Sequence, residues 1–336
     1  MHIWIYISGN LAADSMFLLF THLSACYPAF SYKLVSDGYT PTLSPEQRAR
    51  LITIDPFNAG GLFEEGDILL VGIMTPGKKE RALIRQARER SCEVIAFIND
   101  LGGGAQKFYE EDELVLPDLI AVADVITHHN LLRSGIPASI LLKVGSIYVD
   151  SIRPTIKSNA YAANGIGYLS VPNEYDAGVW KRRLGYSELD IAHDLVRLSE
   201  DHNYTVTIRK HPKENGSEKY DLLSCNSVDV EDHNASSIED FIGRHAVLVS
   251  SYSTGLLVAA KLGKRVISYQ PGAEHPVRSE LYSMLGIPLV TDRKFLYDAV
   301  QQCSVPTACF EQVLYHPGRA LDQIASFLQT RICHFA

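Results

Sequence analysis

At 336 residues the chain is long enough for two domains, each with its own core. Its 46% apolar and 21% charged residues are those of an ordinary globular protein, and a net charge of −8 argues against nucleic acid as a partner. Six scattered cysteines without a C-x-x-C pair read as free or buried thiols of a reducing cytosol, and no apolar run approaches the roughly 20 residues of a membrane span, so any membrane contact would be peripheral.

The first residues, Met-His-Ile-Trp-Ile-Tyr-Ile-Ser, lack a basic leader region and read as a core strand over His2 to Ile7, ended by Gly9-Asn10. An apolar helix over Asp14 to Ser24 follows, then short strands at Tyr32 to Val35 and Leu51 to Ile54. Asp67 to Ile73 is a continuous apolar run of the kind buried on both faces of a parallel sheet. After Pro76-Gly77, Lys78 to Arg90 predicts a charged helix with Ala82, Ile84 and Ala87 inward, and Glu93 to Ile98 a second buried strand. That strand delivers Asn99-Asp100-Leu101-Gly102-Gly103-Gly104, an acid followed by three glycines that let backbone approach a ligand. A strand at Ile120 to Ala123, a helix at Val125 to Ser134 stopped by Gly135-Ile136-Pro137, and a strand at Ile140 to Val144 leading into Gly145-Ser146 complete the first half. Polar, irregular Ser151 to Asn164 reads as the crossing between domains, which places them at 1–155 and 156–336.

The second half opens with a strand at Gly165 to Val171 and an amphipathic helix over Tyr186 to Asp201, with Leu189, Ala192, Leu195, Val196 and Leu198 inward. Tyr204 to Ile208 is a strand that runs straight into Arg209-Lys210-His211-Pro212; Pro212 cannot extend a ladder, so cationic and protonatable groups collect at the strand's carboxyl end. Strand alternation points Arg209 and His211 one way and Lys210 the other. Ala246 to Val249 opens into Ser250-Ser251-Tyr252-Ser253-Thr254-Gly255 and a helix to Leu262, closed by Gly263. Hydroxyls beside free N–H groups at a helix start make an anion cradle. An isolated His-Pro is also an ordinary strand end, and Ser or Thr an ordinary N-cap. Their joint placement on two neighbouring strand ends of one sheet favours a phosphate site. Pro288 to Thr291 gives a last strand and Gly318 to Arg331, with Leu321, Ile324 and Leu328, a terminal helix. The repeated strand–helix alternation predicts an α/β protein of two doubly wound parallel sheets.

His211-Pro212, the Ser/Thr cluster some forty residues later and the helix ending in Gly263 to Tyr269 resemble the carboxyl half of GT-B glycosyltransferases. The similarity is greatest to bacterial surface-polysaccharide enzymes of the sialyltransferase-like and Kdo-transferase-like groups. Gly135-Ile136-Pro137, the next strand, Val144-Gly145-Ser146 and Asp150 look like the end of the first half in the same fold. The resemblance implies two Rossmann-like domains facing across a cleft, an acceptor-binding first domain and a nucleotide-sugar-binding second one. It implies a cytoplasmic, inverting, metal-independent transferase whose partners are a nucleotide-sugar donor and a glycan acceptor, with no further cofactor. His211 would then stabilise the leaving phosphate, with Arg209, Lys210, Pro212, Ser250, Ser251, Ser253 and Thr254 around it, and Gln270 in Tyr269-Gln270-Pro271-Gly272 would touch the base or belong to an ordinary loop. Asp100 is the expected base, although it could equally cap a turn. Glu64 of Glu64-Glu65-Gly66 matches an acidic motif of the sialyltransferase-like enzymes but precedes a strand, at the wrong edge of a sheet. His128-His129 lacks companion ligands for zinc and reads as capping or solvated. Relatives that use nucleoside diphosphate sugars carry a ribose-holding Glu where this chain has Leu256-Leu257-Val258-Ala259-Ala260, which favours a CMP-activated donor or lost catalysis. A UDP-N-acetylglucosamine 2-epimerase-like enzyme and a non-catalytic module of a glycosylation assembly are the other readings.

Overall fold

Apolar strands that are buried on alternate faces dictate the architecture, seen in a computed structural model that describes all residues except 8–10, 39–42, 74–76, 153–163, 181, 215–217, 224–226, 307–309 and 336. The Gly9-Asn10 strand end, Pro76, most of the Ser151 to Asn164 crossing, and Cys225 and Cys309 lie outside the described residues. The chain divides into unit 1, Met1–Ser151 with Val313–Ala336, and unit 2, Ile152–Gln312. No helix among the described residues is long and apolar enough to cross a membrane.

The parallel sheet of unit 1 has seven strands, β1 (His2–Ile7), β2 (Ser31–Ser36), β3 (Ile52–Thr53), β4 (Ile68–Ile73), β5 (Glu93–Ile98), β6 (Leu119–Val122) and β7 (Leu141–Lys143). They pair in parallel in the order β3-β2-β1-β4-β5-β6-β7. Alternation sends Ile3, Ile5, Ile68, Leu70, Ile95 and Phe97 to one face, where helix α1 (Leu11–Cys26) packs with Met16, Leu19 and Leu23. The neighbouring residues Trp4, Leu69, Val71, Val94 and Ala96 face helix α2 (Lys78–Glu89), which buries Leu83, Ile84 and Ala87, while the expected Ala82 is only partly covered. The closing helix, Ala320–Phe335, adds Ile324 and Leu328 to the α1 face. Asp150 accepts the Gly318 and Ala320 N–H groups at 2.8 and 3.0 Å, so a carboxylate satisfies that helix's start. Gly145 lies at φ +89°, and a Cβ there would stand 2.4 Å from the Tyr315 carbonyl oxygen, so only glycine fits where the returning chain crosses.

Unit 2 has β8 (Gly165–Leu169), β9 (Thr205–Arg209), β10 (Val228–Glu231), β11 (Val247–Ser250), β12 (Arg265–Tyr269) and β13 (Leu289–Val290). All pair in parallel, in the order β10-β9-β8-β11-β12-β13. Strand β8 stops at Leu169, not Val171, and the chain turns through Ser170-Val171-Pro172 into a short helix, Asn173–Val179, that the sequence pattern did not announce. The next helix runs over Glu188–His202 behind a Ser187–Asp190 capping box, and it buries Ile191, Ala192, Leu195 and Leu198 where Leu189 was expected to point inward.

Candidate functional site

The strand order revises the expected neighbourhood. His211 follows β9 and the Ser/Thr cluster follows β11, but β8 lies between these strands, so the two loops are not adjacent. Strands β9 and β10 extend to one side of β8, and β11 to β13 to the other. The reversal point of such a sheet is where ligands bind in open α/β folds. The loop after β8, with Asn173–Val179, therefore belongs to the site, and both other loops meet it.

On one side, the turn His211-Pro212-Lys213-Glu214 is fixed by two bonds. The His211 backbone N–H donates to Glu214 Oε2 at 2.8 Å, and the Lys213 backbone N–H donates to His211 Nδ1 at 3.1 Å. A ring whose Nδ1 accepts must carry its proton on Nε2 when neutral. Burial, with Lys213, His233 and Lys219 nearby, pushes the imidazole down to about 4, so at neutral pH it is an uncharged Nε2–H donor. Beneath the turn, Lys219 bridges the buried carboxylates Glu188 and Glu214, and Tyr220 reaches Glu214 at 3.3 Å and Ser170 at 2.6 Å. Burial works against the Lys219 ammonium, but the two glutamates outweigh it and raise its proton affinity.

On the other side, most of the hydroxyl cluster is engaged internally. Ser250 and Ser251 are fully buried and donate to the Leu169 carbonyl (2.5 Å) and Asn173 Oδ1 (3.0 Å). Ser253 caps helix Thr254–Lys261 by accepting the Gly255 N–H. Half-exposed Thr254, the first residue of that helix, lies outside these bonds. Gln270 is fully buried: its oxygen accepts from Tyr186 and the Val277 N–H, and its nitrogen donates to Ser251, Ser268 and Val277. It holds loops together and has no amide capacity left for a nucleotide base. Arg209 is likewise turned inward, bonded to Glu231 at 2.8 Å, to Ser236, and to the His233 carbonyl, so it braces the loop after β10. Lys210 lies 3.4 Å from Asp232 and 4.0 Å from Asp221, and Pro212 opens the single turn to Glu214.

Between the two sides stands the short helix. Its Asp176 accepts from the Tyr252 hydroxyl at 3.2 Å and lies 3.5 Å from the Lys213 ammonium, which also covers the Tyr175 ring at 4.5 Å. Burial raises the Asp176 carboxyl despite these partners. Asn173 is fully buried, and its Nδ2 finds no partner among the described residues. Neither residue was picked out from the sequence. The available signal was the apolar strand Gly165 to Leu169 followed by Val171-Pro172-Asn173, a third strand end of the same kind as the two that were chosen.

In unit 1, Asp100 stands at the carboxyl end of β5 and pairs at 2.9 Å with Lys107, an almost fully buried ammonium. The glycines beside it do not open backbone to a ligand as expected. The Gly102 N–H points to Asp124 at 3.3 Å and the Gly103 N–H to Thr127 Oγ1 at 3.0 Å, so the loop is pinned to helix Val125–Arg133, which Asp124 also caps. His128 is therefore no cap; it is half-buried against the Tyr315 ring at 5.9 Å. Glu64 lies before β4, at the amino edge, where its carbonyl accepts from Cys92.

No known family and no curated protein sequence matches the chain. Solved structures do. The UDP-GlcNAc 2-epimerase of Neisseria meningitidis, in complex with UDP-GlcNAc, superposes with a TM-score of 0.66 at 14% identity over 98% of this chain and 100% of its own. A putative UDP-N-acetylglucosamine 2-epimerase of Listeria monocytogenes gives 0.65 at 14% over 99% and 96%. The wall teichoic acid polymerase TagF gives 0.56 at 12% over 99% and 89%. These neighbours are GT-B-like, and the chain shares their fold.

Proposed function

We propose that the chain is a sugar-nucleotide enzyme, a glycosyltransferase that binds the donor phosphate at the carboxyl edge of unit 2. The observation that carries this reading is His211, an uncharged imidazole at the carboxyl end of β9 whose Nδ1 is occupied by the Lys213 N–H and whose proton therefore sits on Nε2. In the reaction, an acceptor hydroxyl oxygen attacks the anomeric carbon and the bond from that carbon to the phosphate oxygen breaks. The electron pair stays on the phosphate, where charge develops. A donor already aimed there stabilises that charge more than it stabilises the ground state. Lys213 adds Coulombic support once the anion competes with Asp176 for it. The hydroxyl proton goes to a carboxylate, for which Asp100 remains our candidate, its charge countered by Lys107 until substrate binds.

A CMP-activated nonulosonic or Kdo-type sugar is the favoured donor, because the first turns of helix Thr254–Lys261 are apolar and buried, with no acid to hold a ribose. The acceptor would be a surface glycan or glycoconjugate, transfer inverting and metal-independent, at the cytoplasmic side. A second reading, 2-epimerisation of a nucleotide-linked N-acetylhexosamine, is favoured by the whole-length likeness to UDP-GlcNAc 2-epimerases. NMR of the purified protein with CMP-sialic acid, CMP-Kdo and UDP-GlcNAc in turn separates them. The transferase releases CMP and forms a new glycosidic bond when an acceptor glycan is added. Conversion of UDP-GlcNAc to its C2 epimer instead would replace our reading with the second one.

A further inference from the structure

We propose that the side-chain amide of Asn173 binds the ligand directly, donating from Nδ2 to a phosphoryl oxygen of the nucleotide. This rests on the reading of unit 2 as a nucleotide-sugar site and adds a residue to it. Asn173 is fully buried, and two of its polar groups are accounted for: its backbone N–H donates to the Val171 carbonyl at 2.7 Å, and its Oδ1 accepts from Ser251 at 3.0 Å. With Oδ1 turned to the Ser251 hydroxyl, the amide nitrogen has no acceptor among the described residues. Buried donors are rarely left in this state, because the lost hydration is not compensated.

The place of this donor gives its meaning. Asn173 begins the segment after β8, and Ser251 belongs to the segment after β11, so the amide is pinned at the reversal of strand order. The same segment continues into helix Thr254–Lys261, eight residues long, whose N-terminal N–H groups favour an anion. A group that is donor only, uncharged, and fixed by its other end suits a phosphoryl oxygen. Unlike a lysine, it adds no charge that must be neutralised when the site is empty.

Calorimetric titration with CMP and UDP of the wild type and of Asn173→Asp tests the assignment. Aspartate keeps the acceptor for Ser251 and exchanges the free donor for a negative oxygen. Nucleotide affinity is expected to fall at least about tenfold, and an affinity unchanged within about twofold would overturn the assignment. Should the buried charge prevent folding, the intact wild type still answers through NMR of the Asn173 side-chain amide. Its proton exchange slows and its resonance shifts on adding CMP if the ligand accepts from it; an unchanged amide in nucleotide-saturated protein means that a fixed water satisfies the donor, and the proposal fails. A wild type that binds neither nucleotide overturns the site reading itself, and this assignment with it.

Discussion

His211→Ala is expected to lower turnover of the nucleotide sugar by about 10²–10³, the usual cost of removing one donor aimed at developing charge. His211→Gln should lose less, because a glutamine amide nitrogen reaches near the Nε2 position and remains a donor. The pH dependence distinguishes this account from one with a charged imidazole. Burial beside Lys213, His233 and Lys219 holds the ring at about 4, so kcat/KM, which reports the free enzyme, should show no His211 inflection near 6.5. Stability should respond instead. A histidine depressed in the folded state contributes stability that is present above its unfolded value and lost as pH falls toward the folded one. Between pH 6.5 and about 4 the unfolded chain binds the extra proton, which removes up to about 3 kcal/mol. His211→Ala should flatten that part of the stability curve. A wild-type kcat/KM profile controlled by a group near 6.5 that vanishes in His211→Ala would contradict the neutral-donor assignment.

The second large effect lies one layer below. Lys219→Met leaves Glu188 and Glu214, both nearly fully buried, without their shared cation, and breaking a buried ion pair from one side costs about 3–5 kcal/mol. The loss should fall on unit 2. The chain's two tryptophans report it separately, because Trp4 belongs to unit 1 and Trp180, 5.3 Å from the Tyr252 ring, to unit 2. Urea unfolding followed in a Trp4→Phe background reads Trp180 alone, and adding Glu214→Gln to Lys219→Met should restore part of the loss by removing one orphaned charge. Since Glu214 also accepts the His211 N–H, the variant should bind nucleotide less tightly even where it remains folded. A shift below about 1 kcal/mol would place the triad among solvent-screened surface pairs.

Much of the fold was legible, and the reasons are local. The run Ile68 to Ile73 is buried at every position, as an apolar strand covered by helices on both faces must be. Helices with a strong stripe, such as Lys78–Glu89, were found within a residue or two. The strand order was not legible, because it is set by non-local pairing, and it places β8 between the strands that carry His211 and Ser251. The seven-residue helix at Asn173 was missed because it is short, contains Gly178 and buries only Asn173.

The site was half legible for a related reason. Polar residues at strand ends look like ligand groups in a sequence, but burial obliges most of them to bond internally. Ser250, Ser251, Gln270 and Arg209 follow that rule, each with its capacity directed into the fold. His211 and Thr254 are left as the predicted residues with something to offer a ligand on the unit 2 edge. Asn173 and Asp176 stand with them for reasons of packing that no local pattern carries.

The central claim is that this unit 2 edge holds a nucleotide phosphate, and calorimetric titration of the wild type with CMP, CDP, UDP and GDP tests it most directly. Saturable one-to-one binding, tightest for a cytidine nucleotide and weakened by excess inorganic phosphate, is the predicted result. Heat-silent titrations with all four would contradict the phosphate site and leave a non-catalytic member of a glycosylation assembly as the better reading.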